Sequence, residues 1–200
     1  MTSPTLSLLL PLLAFCFVTS VTPGPNNLML MTSGANFGFR STLPHMFGIA
    51  VGFTAMVALV GFGLMGIFAA LPALYAGMKA VALGYMLWLA WKFANAGPPG
   101  EGGSGSRPLT FAQAAAFQWV NPKAWAMALG AITAFAPDRD LPGVLLVAGV
   151  FGAVNLPTIT LWTLIGREMR RMLTSPGRLR AFNWIMAGLL VLSLWPVLAR

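Results

Sequence analysis

The chain has 200 residues, of which 58% are hydrophobic and 8% charged, with a mean hydropathy of +0.79. Soluble domains carry about 25% charged residues, so this composition excludes a water-soluble globular protein and predicts an all-α integral membrane protein. The formal charge of +8 sits in loops between apolar runs, which speaks for membrane orientation and against nucleic acid as a partner.

A membrane helix takes about 20 apolar residues. The runs of suitable length are residues 6–31, 43–69, 72–94, 111–135, 142–166 and 181–199, predicting six transmembrane helices. No Lys or Arg precedes the first run, and Phe15 is too bulky for a lipoprotein cleavage site ahead of Cys16. The first run is therefore expected to stay as a permanent helix. It contains Thr22-Pro23-Gly24-Pro25-Asn26-Asn27, consecutive residues that break helices or are costly in lipid. Pro23 and Pro25 remove their own N–H groups and free the carbonyls of Thr19 and Val21. A new half-helix is expected from about Asn26, its free N–H groups facing the break and favouring a carboxylate.

In the second run, Gly48 and Gly52 form a GxxxG pair, followed by Gly61, Gly63 and Gly66. Small residues let helices approach closely, so these positions are read as packing within the bundle, with a homo-oligomer as the lesser alternative. His45 is the one side chain near the membrane that titrates near neutrality. It is a candidate for proton coupling, weighed against a hydrogen-bonded or wet position at the cytoplasmic end of its helix. The third run ends in WLAWK, residues 88–92, which reads as an aromatic belt with a snorkelling lysine. The methionines and tryptophans are expected mostly at lipid or at the interface.

Residues 95–110 are rich in Gly, Pro and Ser and read as a flexible cytoplasmic linker. They divide the chain into residues 1–94 and 111–200, two three-helix units within one membrane domain. The fourth run repeats the polar-proline pattern of the first: Asn121-Pro122-Lys123, with Pro122 freeing the carbonyl of Gln118. Lys123 adds a cation near mid-helix, where it either acts or snorkels. In the fifth run, Pro157 is read as a simple kink, while Asn155 adds a polar side chain. A unit of three helices that repeats must be inverted, and inverted repeats with broken helices meeting near the midplane are a transporter architecture. Helices 1 and 4 are thus expected to break at their proline motifs.

Arg40, Lys92, Arg107, Arg167, Arg170, Arg171, Arg178 and Arg180 fall on one side of this topology, and the positive-inside rule places that side in the cytoplasm with both termini outside. The acids Glu101, Asp138, Asp140 and Glu168 all lie in loops or at helix ends. A ligand ammonium group would then have to use backbone carbonyls, Thr22, or the oxygens of Asn26, Asn27, Asn121 and Asn155. That suits a small zwitterion and suits a diamine poorly. One histidine, one cysteine and no intramembrane acid build no catalytic set, no metal site and no disulfide. No phosphate-binding glycine motif is present, so no nucleotide or other cofactor is called for.

TPGPNN at 22–27, GFRST at 38–42, GIAVG at 48–52, GYMLWLAWK at 84–92 and FQWVNPKAW at 117–125 resemble the lysine exporter / homoserine–threonine resistance family of amino-acid effluxers. The resemblance runs nearly end to end and is nearest to the cysteine and O-acetylserine exporters within that family. It implies six helices in the bacterial inner membrane and export of small neutral amino acids, driven by the proton motive force. It implies a functional role for Thr22, Pro23, Gly24, Pro25, Asn26, Asn121, Pro122 and Lys123, with Asn27 matching the nearer subgroup. His45 has no counterpart in it. The competing class is a non-transporting membrane scaffold or assembly factor. That class would use the same glycines for packing but would need no polar break in two helices.

Overall fold

The computed structural model describes residues 4–64, 72–96 and 107–194. These form eight helices: α1 (Pro4–Val21), α2 (Pro25–Phe37), α3 (Phe39–Gly61), α4 (Pro72–Ala94), α5 (Phe111–Gln118), α6 (Pro122–Phe135), α7 (Leu141–Met169) and α8 (Pro176–Leu192). No strand occurs among the described residues. Helices α3 and α7 are each long and apolar enough to cross a membrane, and α1 with α2 makes a further span bent by 55° at its break. Most of the expected linker, Glu101 included, lies outside the described residues, as do Gly66, Arg200 and the side chain of Lys79.

The proline motifs end and restart helices where the sequence predicts. Pro25 and Pro122 each stand at the start of a helix, where a missing N–H costs nothing because that group has no intrahelical partner. Pro157, by contrast, lies inside the continuous 29-residue α7. The first span is longer than expected. Helix α2 runs on to Phe37, and Gly38 at φ 80° turns the chain directly into α3, a left-handed conformation that favours glycine. Arg40, expected in a loop, therefore sits exposed in the first turn of α3.

The helices α2 and α7 cross at backbone distance. A Cβ on Gly34 would meet the Thr163 carbonyl, and one on Gly166 would meet that of Met31, its carbon only 2.7 Å away. Gly48 and Gly52 bring α3 equally close to α5, a Cβ on Gly52 lying 2.7 Å from Ala115 Cα. Helix α7 also packs on α1 and α3, while α4 packs on α8. A buried amide pair ties that outer pair inward. Asn36 Nδ2 donates to Asn183 Oδ1 at 2.8 Å, Asn183 Nδ2 returns a bond at 3.1 Å, and it also donates to the Ala96 carbonyl at 2.8 Å.

The methionines depart from expectation. Met29, Met46, Met56 and Met86 are buried at 3% exposure or less and belong to the core, where a flexible thioether fills irregular gaps between helices. Large apolar residues such as Leu10, Val81, Trp91 and Ile185 instead cover the exterior. That would be a liability in water, but it is the natural face toward lipid.

Candidate binding site between the two helix breaks

Three residues, Thr22 to Gly24, separate α1 from α2, and three, Trp119 to Asn121, separate α5 from α6. The two interruptions face each other across one cavity. From the first come Gly24, Asn26 and Asn27, and from the second Asn121, Lys123 and Ala124. Thr19 and Ser20 of α1, Phe53 of α3, Met127 of α6 and Asn155 of α7 complete the wall. The free volume is about 20 Å3, room for roughly one water, so the cavity is too narrow for a larger guest in this conformation.

Both α2 and α6 begin at this cavity, and the N-terminus of a helix carries a partial positive charge of about half a unit. At the second break Asn121 caps α6, its Oδ1 accepting from the Lys123 backbone N–H at 3.1 Å. At the first, Gly24 occupies the cap position with extended backbone and no side-chain cap. A Cβ there would lie 2.6 Å from Lys123 Cδ. Glycine at this position lets the lysine side chain lie across the break.

Lys123 uses that passage. Its Nζ donates to Thr22 O at 2.6 Å, Thr22 Oγ1 at 2.9 Å and Pro23 O at 3.3 Å. Asn27 Nδ2 donates to Ser20 O at 2.8 Å and Thr22 O at 2.9 Å. Asn26 does not face a free ligand position alone. It exchanges two hydrogen bonds with Gln118 of α5, at 2.8 and 3.2 Å, so the two breaks are latched directly to one another.

The carbonyls released by proline are consequently not left open, as the sequence suggested. Thr19 O accepts from Thr22 Oγ1 at 2.9 Å, Val21 O from Trp162 Nε1 at 3.2 Å, and Gln118 O from the Asn121 N–H at 3.3 Å. The low dielectric demands this, because each unmet backbone group in lipid costs several kcal/mol. The exceptions are side chains: Ser20 Oγ and Asn155 Nδ2, both buried, have no hydrogen-bond partner, and both residues line the cavity. Buried polar groups without partners are rare, and two on one cavity mark it as built for a polar occupant.

Of the residues singled out from the sequence, Gly24, Asn26, Asn27, Asn121, Lys123 and Asn155 line the cavity, with Thr22 and Pro23 touching Lys123 at its edge. Pro25 and Pro122 start the half-helices. His45 does not line it. It is fully buried in α3, and neither ring nitrogen has a hydrogen-bond partner within the protein. Sequence reasoning missed Ser20, Gln118, Phe53 and Met127. Gln118 was visible in the QWVNP run, and Ser20 was a polar residue two positions before the break. Phe53 and Met127 carried no signal distinct from ordinary core.

No acid lines the cavity. Asp140 caps α7, and Glu168 pairs with Arg167 at 2.7 Å and Arg171 at 3.0 Å at the far end of that helix. Among the described residues, no group of His, Cys, Asp and Glu is placed to hold a metal ion.

The chain matches the family model described as LysE type translocator over residues 17–194. It belongs to that family. It is therefore a membrane transport protein and not an enzyme. Among curated relatives, it is 29% identical over 182 residues to the cysteine/O-acetylserine efflux proteins of Escherichia coli (strain K12), Shigella sonnei (strain Ss046) and Shigella flexneri serotype 5b (strain 8401). Each match covers 88% of this chain and 90% of the relative. No solved structure matches the chain.

Proposed function

We propose that the protein exports small neutral amino acids, of the cysteine/O-acetylserine or homoserine/threonine kind, across the bacterial inner membrane. The observation that carries this reading is the cavity between the two breaks, with two half-helix N-termini, one lysine, two unpartnered buried polar groups and no acid on its wall. A zwitterion fits that inventory: its carboxylate takes the cationic donors and its ammonium takes neutral oxygens. A diamine finds no counter-charge. Similarity to efflux proteins for cysteine and O-acetylserine points to the same substrate class.

Transport proceeds by alternating access between two inverted three-helix repeats, α1–α4 and α5–α8. The contacts support this. A two-fold exchange of the repeats maps the α2–α7 crossing onto α3–α6, maps α1–α7 onto α3–α5 and α2–α3 onto α6–α7, and leaves α3–α7 and α4–α8 as self-paired. The narrow cavity is then the resting stage, and rocking of the repeats widens it. Six spans, with the basic ends of α4, α7 and α8 in the cytoplasm and both termini outside, complete the arrangement. The proton motive force drives export, with His45 as the candidate carrier.

Counterflow of a panel of labelled amino acids into proteoliposomes, with and without a pH gradient, tests the reading. Saturable exchange of cysteine, O-acetylserine, homoserine or threonine is expected, biased by the gradient. Absence of exchange for every amino acid in correctly inserted protein would favour the scaffold alternative. Exchange indifferent to the gradient would remove the proton coupling alone.

A further inference from the structure

We propose that the oxygens of Thr22 and Pro23 form the seat for the substrate's ammonium group, and that Lys123 fills this seat with its own ammonium while the site is empty. The inference rests on the amino-acid reading and deepens it. A lysine Nζ and an amino acid's α-nitrogen are the same chemical group, an sp3 ammonium bearing three N–H donors. Lys123 presents these donors to three neutral oxygens, Thr22 O, Thr22 Oγ1 and Pro23 O. The carbonyls are available because Thr22 and Pro23 lie in the break, outside both α1 and α2. Gly24 keeps the way clear for the lysine stem.

Independent of this contact, the adjoining wall holds unused polar groups. Ser20 is 3% exposed and Asn155 is 6% exposed, and neither Ser20 Oγ nor Asn155 Nδ2 has a partner. They stand on the cavity that Lys123 borders. An arriving amino acid exchanges places with the lysine. Its ammonium takes the three oxygens, and its carboxylate meets the released Lys123 together with Asn155 and the N-termini of α2 and α6. No proton needs to move, and the charge of the site is unchanged because the guest is a zwitterion. A diamine gains the seat but leaves two cations with no anion between them. A betaine has no N–H to donate and cannot take the seat. The substrate class is therefore narrowed to amino acids with an unsubstituted or singly substituted ammonium.

The seat is tested apart from transport by measuring thermal stability of the purified protein against ethylammonium chloride, with tetramethylammonium chloride as control. In Lys123→Ala the seat is vacant, and ethylammonium is expected to raise Tm saturably, while tetramethylammonium does not. Wild type, whose seat is filled, shows no such rise. Should Lys123→Ala fail to fold, Lys123→Met keeps the stem over Gly24 and serves in its place. A folded variant indifferent to ethylammonium, or a wild type that responds equally, overturns the seat. Counterflow with wild type separates the two readings. Amino-acid exchange without an ethylammonium response in the variant refutes the seat and leaves transport standing. An ethylammonium response with no amino-acid exchange in wild type keeps the seat and refutes the transport reading.

Discussion

The two breaks begin from similar residues and resolve their backbone differently. At the second, the chain closes on itself: Trp119, Val120 and Asn121 each donate an N–H to the carbonyl three residues back, and Asn121 caps the new helix. At the first, self-closure is incomplete. Pro23 and Pro25 have no N–H to give, Gly24 has no side chain to cap with, and Val21, Thr22 and Pro23 carbonyls take donors from Trp162 and Lys123 of other spans. One break is thus a rigid platform delivering a lysine, and the other an acceptor surface completed by whichever cation arrives. The difference teaches that two prolines with a glycine between them open a backbone site, whereas one proline after an asparagine closes it.

The steepest way to disturb this contrast is to dislodge the first break from α7. Gly166→Leu forces a side chain into the Met31 carbonyl, and because backbone cannot yield as a flexible side chain does, loss of about 4 kcal/mol or more is expected. Folded yield after membrane insertion, read by size-exclusion chromatography, should collapse. Next comes Lys123→Met, which keeps the stem and removes the charge. Amino-acid counterflow should fall about 100-fold, about 3 kcal/mol, the scale of a lost charge-assisted hydrogen bond set. Undiminished flux would make the lysine an ornament of the first break.

Smaller effects sharpen the comparison. Asn26→Leu and Gln118→Leu each cut one side of the reciprocal amide latch. A double-mutant cycle on counterflow should give a coupling of about 1 to 2 kcal/mol, since the two amides exchange a pair of bonds across the breaks while Gln118 holds a further one to Ala114 O within its own helix. A coupling near zero would mean that the breaks move independently. Smallest is Asn121→Ala, which removes the α6 cap and should cost about 1 kcal/mol of stability by thermal denaturation. The first break lacks a side-chain cap and has no equivalent to lose.

Much of this was legible in the residues. TPGPNN and NPK located both breaks to within a residue or two, because proline acts through local geometry that tertiary packing cannot undo. That Pro157 would leave its helix continuous was legible for the opposite reason: one proline with no second breaker beside it leaves neighbours to hold the turn. The partners were not legible. Lys123 reaching Thr22 spans 101 positions, and Asn26 reaching Gln118 spans 92; only folding sets those pairings. The expectation of open carbonyls failed because it counted what proline frees without counting the donors that neighbouring helices supply. The burial of His45 was not legible for a related reason, since a titratable residue near a helix end is usually solvated, and here the bundle covers it entirely.

Site-specific protection by substrate tests the central claim most directly. In a Cys16→Ser background, Ser20→Cys places a thiol on the cavity wall with almost no change in volume, and Thr174→Cys places a control thiol on an exposed turn between α7 and α8. Saturating O-acetylserine or a like amino acid should slow methanethiosulfonate modification at the first thiol about tenfold or more, as site occupancy requires, and leave the second unchanged. Equal modification rates with and without substrate at both positions, in protein that still exchanges amino acids, would place the substrate elsewhere and contradict the account.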